Sequence, residues 1–469
     1  MSFLADSEVV TRALAAYCQE SVAGQGRVIN QEPLEQIIEK LDLNRYARDG
    51  GLTGPELAAF LDRYLTFTTR LHHPAYMAHQ VAVPCPTAAL GSLIDGLTNN
   101  AMAIYEMGPG AASIEFWVLN WMLQKVGWQP AAFDRQKRAR DPSYAGGVLT
   151  HGGSLANLTA MLAARHRAVP DVWAHGIPQN LVLLAPAGAH YSIARAAGIL
   201  GLGQNAVRHL EVDALGRIIP EKLALTYDRI RQEDKRPMAL VASACSTAVG
   251  IYDPLEEIGE FCRQQHLWLH VDGAHGASAL LSPKHQYRLK GIELADSLTW
   301  DAHKMLQTPV LCAALLVRDH RTLDQTFEQD ASYLFHDKER PGVDFAHRTI
   351  ECTKAGLGLK FFMVLGALGE AGLGAFVERQ YELAEQAYEY IQRQPGFECA
   401  VQPQSNILCF RRAGDDDLQL RIRDRLNAQG SFYLSSTFFG GKRYLRMALM
   451  NPHTRLEDIQ KLLVTIQSM

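Results

Sequence analysis

The chain lacks an excess of charge, a long apolar run and any pattern of paired cysteines. Its 469 residues carry 46 Lys and Arg against 50 Asp and Glu, a formal net charge of −4 without a basic stripe. This balance gives nucleic-acid binding no electrostatic support. No apolar run approaches the roughly 20 residues of a membrane-spanning helix, so we expect no membrane partner.

Signals for secretion and for disulfide bonds are also missing from the sequence. The N-terminus, Met-Ser-Phe-Leu-Ala-Asp-Ser-Glu, has neither the basic nor the apolar region of a secretory signal. The eight cysteines are scattered, without a Cys-x-x-Cys motif or a framework spacing. Such cysteines are typical of free thiols in a reducing compartment, and we therefore expect a cytoplasmic protein.

The length and patterning predict more than one structural unit. Apolar residues make up 47% and charged residues 20% of the chain, which is typical of a globular protein with an ample core. Apolar side chains at helical spacing, such as Leu57, Leu61 and Leu65, indicate a helical segment. We predict a helical N-terminal segment (1–85), a large α/β domain (86–350) and a small α+β domain (351–469).

Strands alternate with helices in the middle of the chain. We predict strands at 144–150, 181–186, 238–243, 267–271 and 311–317, with helices at 154–166, 191–200 and 253–265. This alternation indicates a mostly parallel sheet covered by helices. Asp253 is predicted to cap its helix, and Thr454 and Glu457 are predicted to form a capping box.

A lysine and a glycine turn are the first candidates for chemistry. Lys304 directly follows His303, just beyond a short β-type run, where it is well placed to form a Schiff base. Taken alone, it is better explained as a solvated lysine in a loop. The Gly152-Gly153-Ser154 turn joins a strand to a helix and predicts a phosphate site, since glycines and helix N-termini expose N–H groups. An ordinary tight turn with Ser154 as N-cap explains the same residues.

Three further residues stand where neighbouring strands end. Asp272 ends a strand and can keep a pyridine nitrogen protonated, while His190 can stack on a ring and exchange a proton. Thr247 can contact a ring hydroxyl, although a loop threonine bonding its own backbone is as good an explanation. Together with Lys304 these residues predict pyridoxal 5′-phosphate chemistry. The His266-x₃-His270 spacing lacks a third ligand, so we predict no metal.

The same loops resemble those of the group II pyridoxal-phosphate amino-acid decarboxylases. The matching segments are Gly152-Gly-Ser-Leu-Ala-Asn157, His190-Tyr-Ser-Ile193, Trp268-Leu-His-Val-Asp272, Ala295-Asp-Ser-Leu-Thr-Trp-Asp-Ala-His-Lys304, Ala331-Ser-Tyr-Leu-Phe335 and Leu445-Arg446. The resemblance runs from about residue 70 to the C-terminus. It implies the aspartate-aminotransferase-like fold (PLP fold type I) and a homodimer with its active site at the subunit interface. In such a dimer the helical N-terminal segment (1–85) would serve dimerisation.

The resemblance also implies roles for individual residues. Lys304 would hold the cofactor, Asp272 would pair with its ring nitrogen and His190 would stack on the ring. Gly153, Ser154 and His303 would bind phosphate, and Thr247 and Ala274 would line the ring. Tyr333 matches the catalytic tyrosine that returns a proton after CO₂ leaves, and Arg446 matches the arginine that receives the substrate α-carboxylate. His79, Gln80 and His275 depart from the family pattern at positions that bear on substrate choice.

The substrate stays open among several classes. The Ser282-Pro-Lys-His run, Gly291-Ile-Glu and Tyr333-Leu-Phe resemble the glutamate and cysteine-sulfinate branch, which favours a small acidic side chain. An acidic side chain calls for a second cation, and Arg348 and Lys354 are candidates. 2,4-Diaminobutyrate and aromatic amino acids are the alternatives. An aldehyde synthase, in which phenylalanine replaces the loop tyrosine, and a non-catalytic paralogue are further ones.

Overall fold

The computed structural model describes residues 3–140, 143–328 and 342–469. Its α-helices are α1 (Phe3–Val22), α2 (Leu34–Lys40), α3 (Leu43–Asp49), α4 (Gly54–Thr66), α5 (Pro86–Thr98), α6 (Pro109–Val126), α7 (Arg135–Arg140), α8 (Gly153–Ala168), α9 (Val172–His175), α10 (Ser192–Ile199), α11 (Leu223–Gln232), α12 (Leu255–Gln264), α13 (Arg321–Thr326), α14 (Leu357–Gln392), α15 (Asp416–Gln429) and α16 (Leu456–Gln467). Its strands are β1 (Gly146–Thr150), β2 (Leu181–Pro186), β3 (Val207–Leu210), β4 (Arg236–Ser243), β5 (Trp268–Asp272), β6 (Ser297–Asp301), β7 (Ala313–Val317), β8 (Phe397–Cys399), β9 (Ile407–Arg412), β10 (Ser435–Phe439) and β11 (Lys442–Ala448).

A seven-stranded sheet organises the middle of the chain, in the order β1-β7-β6-β5-β4-β2-β3. Its strands are parallel except β7, which pairs antiparallel with both β1 and β6. β1, β2, β6 and β7 are buried along their whole length, because helices such as α6, α8 and α12 pack on the sheet. The predicted mostly parallel sheet with covering helices is confirmed.

The register of the sheet aligns the ends of three neighbouring strands. Ser243 of β4 pairs with Asp272 of β5, and Asp272 pairs with Thr299 of β6. In a parallel sheet, ligands bind beyond the carboxyl ends of the strands. The loops that follow β4, β5 and β6 therefore open on one edge of the sheet.

Contacts along the chain define two compact units, Pro84–Tyr381 and a unit made of Met1–Val83 with Glu382–Met469. The first holds the seven-stranded sheet. The second holds an antiparallel sheet in the order β10-β11-β9-β8, with α15 packed on β11. Apolar side chains such as Leu408, Phe410 and Leu445 form its core. The grouping differs from the predicted three-domain division, which stays a prediction.

Two predicted helix caps are wrong, for a shared physical reason. Asp253 accepts hydrogen bonds from the backbone N–H of Ile218 (2.8 Å) and Ser243 (2.7 Å), and α12 begins two residues later. The Thr454 hydroxyl donates to the carbonyl of Pro74 (2.7 Å). In both cases the local sequence assigns the side chain to a helix end. In the structure that side chain instead forms hydrogen bonds with backbone groups from another part of the same unit.

The helix α14 is long and apolar enough to cross a membrane, judged by length and composition alone. The expectation that no run of this kind exists is therefore wrong. Gly369 interrupts the helix with φ 65°, and side chains such as Phe361, Val364 and Val377 are fully buried. A core helix of a soluble protein has the same properties, so the length of α14 is weak evidence for a membrane span.

Candidate active site

The loops beyond the strand ends enclose a cavity of about 260 Å³. Nine of the predicted site residues line it: Gly153, Ser154, His190, Thr247, Asp272, Ala274, His275, His303 and Lys304. They come from five separate stretches of sequence. The parallel sheet brings these stretches together, because each one follows the carboxyl end of a strand.

A buried carboxylate holds the lysine of the cavity. The Nζ of Lys304 lies 3.2 Å from Oδ2 of Asp301, and the Nε2 of His303 lies 3.5 Å from the same oxygen. Asp301 is only 1% exposed, and its Oδ1 has no hydrogen-bond partner among the described residues. Buried polar atoms are normally hydrogen-bonded, so Oδ1 of Asp301 marks a position where the site can take a further group.

The N-terminus of α8 forms one wall of the cavity. Gly152 precedes the helix with φ 109°, a conformation that favours glycine. A Cβ at Gly153 would lie 2.8 Å from Oδ1 of Asp301, so only glycine fits there. Because α8 begins at Gly153, Ser154 is not its N-cap, and the alternative explanation of the turn fails at that residue. Free N–H groups and the helix dipole at this point suit an anion such as phosphate.

Two donors hold the carboxylate of Asp272. The Nδ2 of Asn157 donates to Oδ2 at 2.9 Å, and the backbone N–H of Ala274 donates to Oδ1 at 3.2 Å. Asn157 lies on α8, one turn after Gly153, so the same helix supplies the anion site and orients the carboxylate. These two hydrogen bonds fix the orientation of the carboxylate.

His190 lies two residues before α10, near the end of the loop that follows β2, and lines the same cavity. Its Nδ1 is 2.8 Å from the hydroxyl of Ser192 and 3.3 Å from the backbone nitrogen of Ser192. Burial lowers the pKa of His190, and the nearby Asp272 carboxylate partly opposes this. A neutral imidazole therefore faces the cavity at neutral pH.

Thr247 and His275 complete the cavity from the loops after β4 and β5. Thr247 is exposed, whereas His275 is buried, with 2% of its surface exposed. The sequence predicted a contact with a ring or substrate for Thr247 and a contact with substrate for His275. The structure brings both to the cavity, which is the condition that either role requires.

The other predicted substrate residues lie in the second unit. The guanidinium of Arg446 donates to Oε1 of Gln80 (3.0 Å) and to the carbonyl of Ala78 (3.3 Å). The Nε2 of His79 is 3.0 Å from the hydroxyl of Tyr433, and burial lowers the pKa of His79. Arg446, Gln80 and His79 thus form one cluster on β11 and its neighbouring segment. Tyr333 lies outside the described residues.

Both cations suggested as partners for an acidic side chain have carboxylate partners within their own unit. The side chain of Lys354 is fully buried against Glu115, which is also fully buried. The Nε of Arg348 donates to Asp324 at 3.0 Å. Since neither side chain lines the cavity, the expectation that one of them receives the substrate is not supported by the geometry.

Sequence reasoning assigned no role to Asn157 or Asp301, although both stand in the segments that carry the resemblance. An asparagine is a poor helix former, and Asn157 stands on the buried face of α8 beside Leu158 and Met161. That conflict between residue type and position was the available signal. Over the described ranges, no group of three or more His, Cys, Asp or Glu side chains is arranged to hold a metal.

The residues present fit pyridoxal phosphate. The N–H groups at Gly153 suit its phosphate, Asp272 suits its ring nitrogen and His190 lies beside the cavity that would take the ring. The Lys304 amine, held by Asp301, is the one lysine among the residues lining that cavity. The groups that would hold the phosphate, the ring nitrogen, the ring and the aldehyde carbon thus all lie around one cavity of this chain.

Comparisons with known proteins agree with this chemistry. Residues 62–413 match the family model of the pyridoxal-dependent decarboxylase conserved domain. The chain is 31% identical to acidic amino acid decarboxylase GADL1 of Mus musculus over 464 residues, covering 94% of this chain and 82% of that protein. It is 30% identical to cysteine sulfinic acid decarboxylase of Homo sapiens over 414 residues, covering 86% and 80%. A crystal structure of mouse CSAD matches with a TM-score of 0.88 and 26% identity, over 100% of this chain and 99% of that chain.

The family model covers most of the chain, and the relatives match along most of their own length. Sequence, fold and cavity chemistry therefore agree. The chain belongs to the group II pyridoxal-phosphate-dependent amino-acid decarboxylases, carboxy-lyases with the aspartate-aminotransferase-like fold.

Proposed function

We propose that this decarboxylase acts on a small acidic L-amino acid, such as glutamate, aspartate or cysteine sulfinate. The observation that carries the reaction is the convergence of Lys304, Asp272 and His190 on one cavity. The acidic side chain is supported by the relatives, of which one is named for acidic amino acids and another for cysteine sulfinic acid. 2,4-Diaminobutyrate and aromatic amino acids remain the alternative substrates.

The chain contributes a lysine amine and an oriented carboxylate to the reaction. When bound, pyridoxal phosphate supplies an electron sink for the electron pair that CO₂ leaves behind. Lys304, the lysine that lines the cavity, would provide the amine that holds the cofactor. Asp272, oriented by Asn157 and Ala274, would accept a hydrogen bond from the ring nitrogen and would keep a proton on that atom.

Other residues hold the phosphate and the ring. Gly153, Ser154 and His303 would bind the phosphate, where the helix dipole of α8 would add to the attraction of the N–H groups. His190 would stack on the ring, and Thr247 and Ala274 would line it. Tyr333 returns a proton to the α-carbon after CO₂ leaves, as the family resemblance implies.

Substrate recognition involves Arg446, His79, Gln80 and His275. The guanidinium of Arg446 receives the substrate α-carboxylate, and its hydrogen bond from Nη2 to Gln80 orients it. Only interactions that are stronger in the transition state accelerate the loss of CO₂. Because the guanidinium of Arg446 also donates to Gln80, it would hold the substrate carboxylate less tightly. Looser binding suits a carboxylate that must lose its charge in the reaction.

The proposal includes a homodimer in the cytoplasm with its active site at the subunit interface, without a nucleic-acid or membrane partner. Helix α5 exposes Leu90, Leu93, Ile94 and Leu97, which form an apolar face that a second copy of the chain would cover. None of the eight cysteines, all of which lie in the described ranges, forms a disulfide bond, which is compatible with a reducing compartment. Light scattering of the purified protein measures the assembly, and a monomer at working concentration would contradict the dimer.

The substrate is tested by measuring CO₂ release from a panel of L-amino acids with acidic, basic, aromatic and small neutral side chains. The purified protein is loaded with pyridoxal phosphate, and the amine product is identified for each substrate. We expect the largest kcat/KM for an acidic member of the panel. A preference for 2,4-diaminobutyrate or an aromatic amino acid would overturn the acidic assignment and leave the reaction intact.

Lys304→Ala is the control for the reaction itself. We expect the variant to lack the visible absorbance of the loaded protein and to lose CO₂ release with every substrate. Wild-type activity in this variant would overturn the role of Lys304. Production of aldehyde and hydrogen peroxide in place of amine by the wild type would favour the aldehyde-synthase alternative.

A further inference from the structure

A chain of buried hydrogen bonds runs from the interior of the sheet to Asp272 and His190. We propose that Asn157 is a positioning residue that orients Asp272 and, through Ser192, fixes the tautomer of His190, with His270 as the neutral link behind it. This inference rests on the proposed roles of Asp272 and His190. It extends them by naming the groups that hold both residues in their working states.

The orientation of the Asn157 amide follows from its neighbours. An ionised carboxylate can only accept, so the Asn157 atom 2.9 Å from Oδ2 of Asp272 must be the NH₂ group. Its second hydrogen points to the hydroxyl of Ser192, also at 2.9 Å. The carbonyl oxygen of Asn157 therefore faces the opposite side, towards His270 and Thr299.

That carbonyl oxygen fixes the protonation of His270. Its distances to Nε2 of His270 and to the hydroxyl of Thr299 are 3.0 and 2.7 Å, and both groups must donate. Burial lowers the pKa of His270 to about 4, so the ring is neutral and its Nδ1 is bare. The bare Nδ1 lies 2.8 Å from the hydroxyl of Ser297, which must donate to it.

The inner end of the chain has a fixed direction because an indole can only donate. The Nε1 of Trp268 donates to Oγ of Ser297 at 2.9 Å, and Ser297 passes its own hydrogen to His270. Trp268, His270 and Asp272 alternate along β5 with the same side-chain direction, which places all three beside the chain of hydrogen bonds. Along this series of hydrogen bonds, from Trp268 through Ser297 and His270 to Asn157, each group thus donates in the direction of the cavity.

The outer end determines the state of His190. Ser192 accepts from Asn157, and both its hydroxyl and its backbone N–H lie against Nδ1 of His190. Two donors at Nδ1 require that this nitrogen carry no proton. Since burial lowers the pKa of His190, the neutral ring carries its single proton on Nε2.

The arrangement has a consequence for the reaction. Asn157 divides its two hydrogens between the carboxylate that pairs with the ring nitrogen and the serine that sets His190. The side chain of Asn157 therefore links Asp272, which would pair with the ring nitrogen, to His190, which would stack on the ring. Partly satisfied buried networks are costly, so removing a middle member should change both ends.

The tautomer of His190 is measured by nitrogen NMR on protein labelled at histidine, with and without pyridoxal phosphate. The His190→Gln variant identifies the His190 signals. In the wild type we expect a protonated Nε2 and a bare Nδ1. In Asn157→Leu and Ser192→Ala we expect an Nδ1-protonated population to appear, and Thr299→Val is the matched control, because it removes a donor to Asn157 without changing the direction of the chain.

Kinetics distinguish positioning from a structural role. For the Asn157→Leu variant we expect kcat to fall by about tenfold or more with a small change in KM, since one charged hydrogen bond to Asp272 is lost. Asn157→Asp keeps the shape but places a second carboxyl against Asp272, where a hydrogen bond forms only when the pair shares a proton. We expect the kcat of that variant to recover as the pH falls, which simple loss of packing would not produce.

Ser192→Ala covers the case in which Asn157→Leu fails to fold, because it removes a single hydroxyl. A purely Nε2-protonated His190 in Ser192→Ala and Asn157→Leu, with kcat unchanged, would overturn the inference. A tautomer that depends on Asn157 in a protein that releases no CO₂ from any amino acid would instead overturn the proposed function. The two failures are therefore distinguishable.

Discussion

The buried ion pair of Lys354 and Glu115 offers a test of how the large unit is stabilised. Both side chains are fully buried. Oε1 of Glu115 also accepts a hydrogen bond from the backbone N–H of Leu149 in β1 at 3.0 Å. Burial raises the pKa of Glu115, and the ammonium of Lys354 opposes this. The charged carboxylate depends on its lysine, so replacing Lys354 leaves a buried charge without its partner.

We expect Lys354→Met to lower the free energy of unfolding by about 3–5 kcal/mol, the cost of breaking a buried pair by removing one partner. Adding Glu115→Gln should restore most of that loss, because a glutamine oxygen still accepts from Leu149 without carrying a charge. Chemical denaturation followed by circular dichroism measures both variants. The matched control is Lys290→Met, whose partner Glu256 lies at 2.8 Å in an exposed pair, and we expect no measurable change there.

The pH dependence of Lys354→Met has a definite sign. Without the ammonium, burial holds the pKa of Glu115 above its unfolded value, so protonation favours the folded state. The free energy of unfolding that Lys354→Met loses relative to wild type should be smallest below the pKa of Glu115 in the unfolded chain. The loss should grow as the pH rises through the pKa of Glu115 in the folded variant. A loss below about 1 kcal/mol that does not change with pH would refute the reasoning. A folded variant that loses only its preference for acidic substrates would instead restore Lys354 as a substrate residue.

Three further predictions concern other parts of the chain. Burial raises the pKa of Asp253 to about 6, above its unfolded value, so the stability of wild type relative to Asp253→Asn should fall between about pH 4 and pH 6, as measured by denaturation across that range. Equal pH profiles would contradict this. Gly153→Ala places a Cβ 2.8 Å from Asp301, so a titration of visible absorbance should show weaker binding of pyridoxal phosphate; unchanged affinity would show that the wall can move. Tyr333→Phe should shift products from amine towards aldehyde, ammonia and hydrogen peroxide, and amine alone at the wild-type rate would exclude Tyr333 as the proton donor.

The strands that carry the site were predictable because their apolar runs are short and continuous. β2 was predicted at its observed bounds, and β4 and β5 were predicted within two residues, since buried parallel strands exclude polar side chains. The edge strand β3 was missed. Its residues Val207–Leu210 are mostly accessible and carry Arg208 and His209, so they lack the apolar run that signals a buried strand.

The sequence by itself determined the residue types that converge on the cavity. Glycine at 153, a carboxylate at 272 and a lysine at 304 each have a chemical meaning in a strand-to-loop position, and that meaning does not depend on distances. For the same reason the order of motifs along the chain was enough to recognise the family. Local patterning also located the strands that precede them.

Only the tertiary structure decided which partner each polar side chain has. Asp253 holds backbone groups of other elements and not its own helix, and Lys354 is committed to Glu115. Asn157 acquires its position relative to Asp272 only when α8 and β5 pack together. Hydrogen bonds and ion pairs depend on angstrom-scale geometry between residues far apart in sequence, which no local pattern encodes.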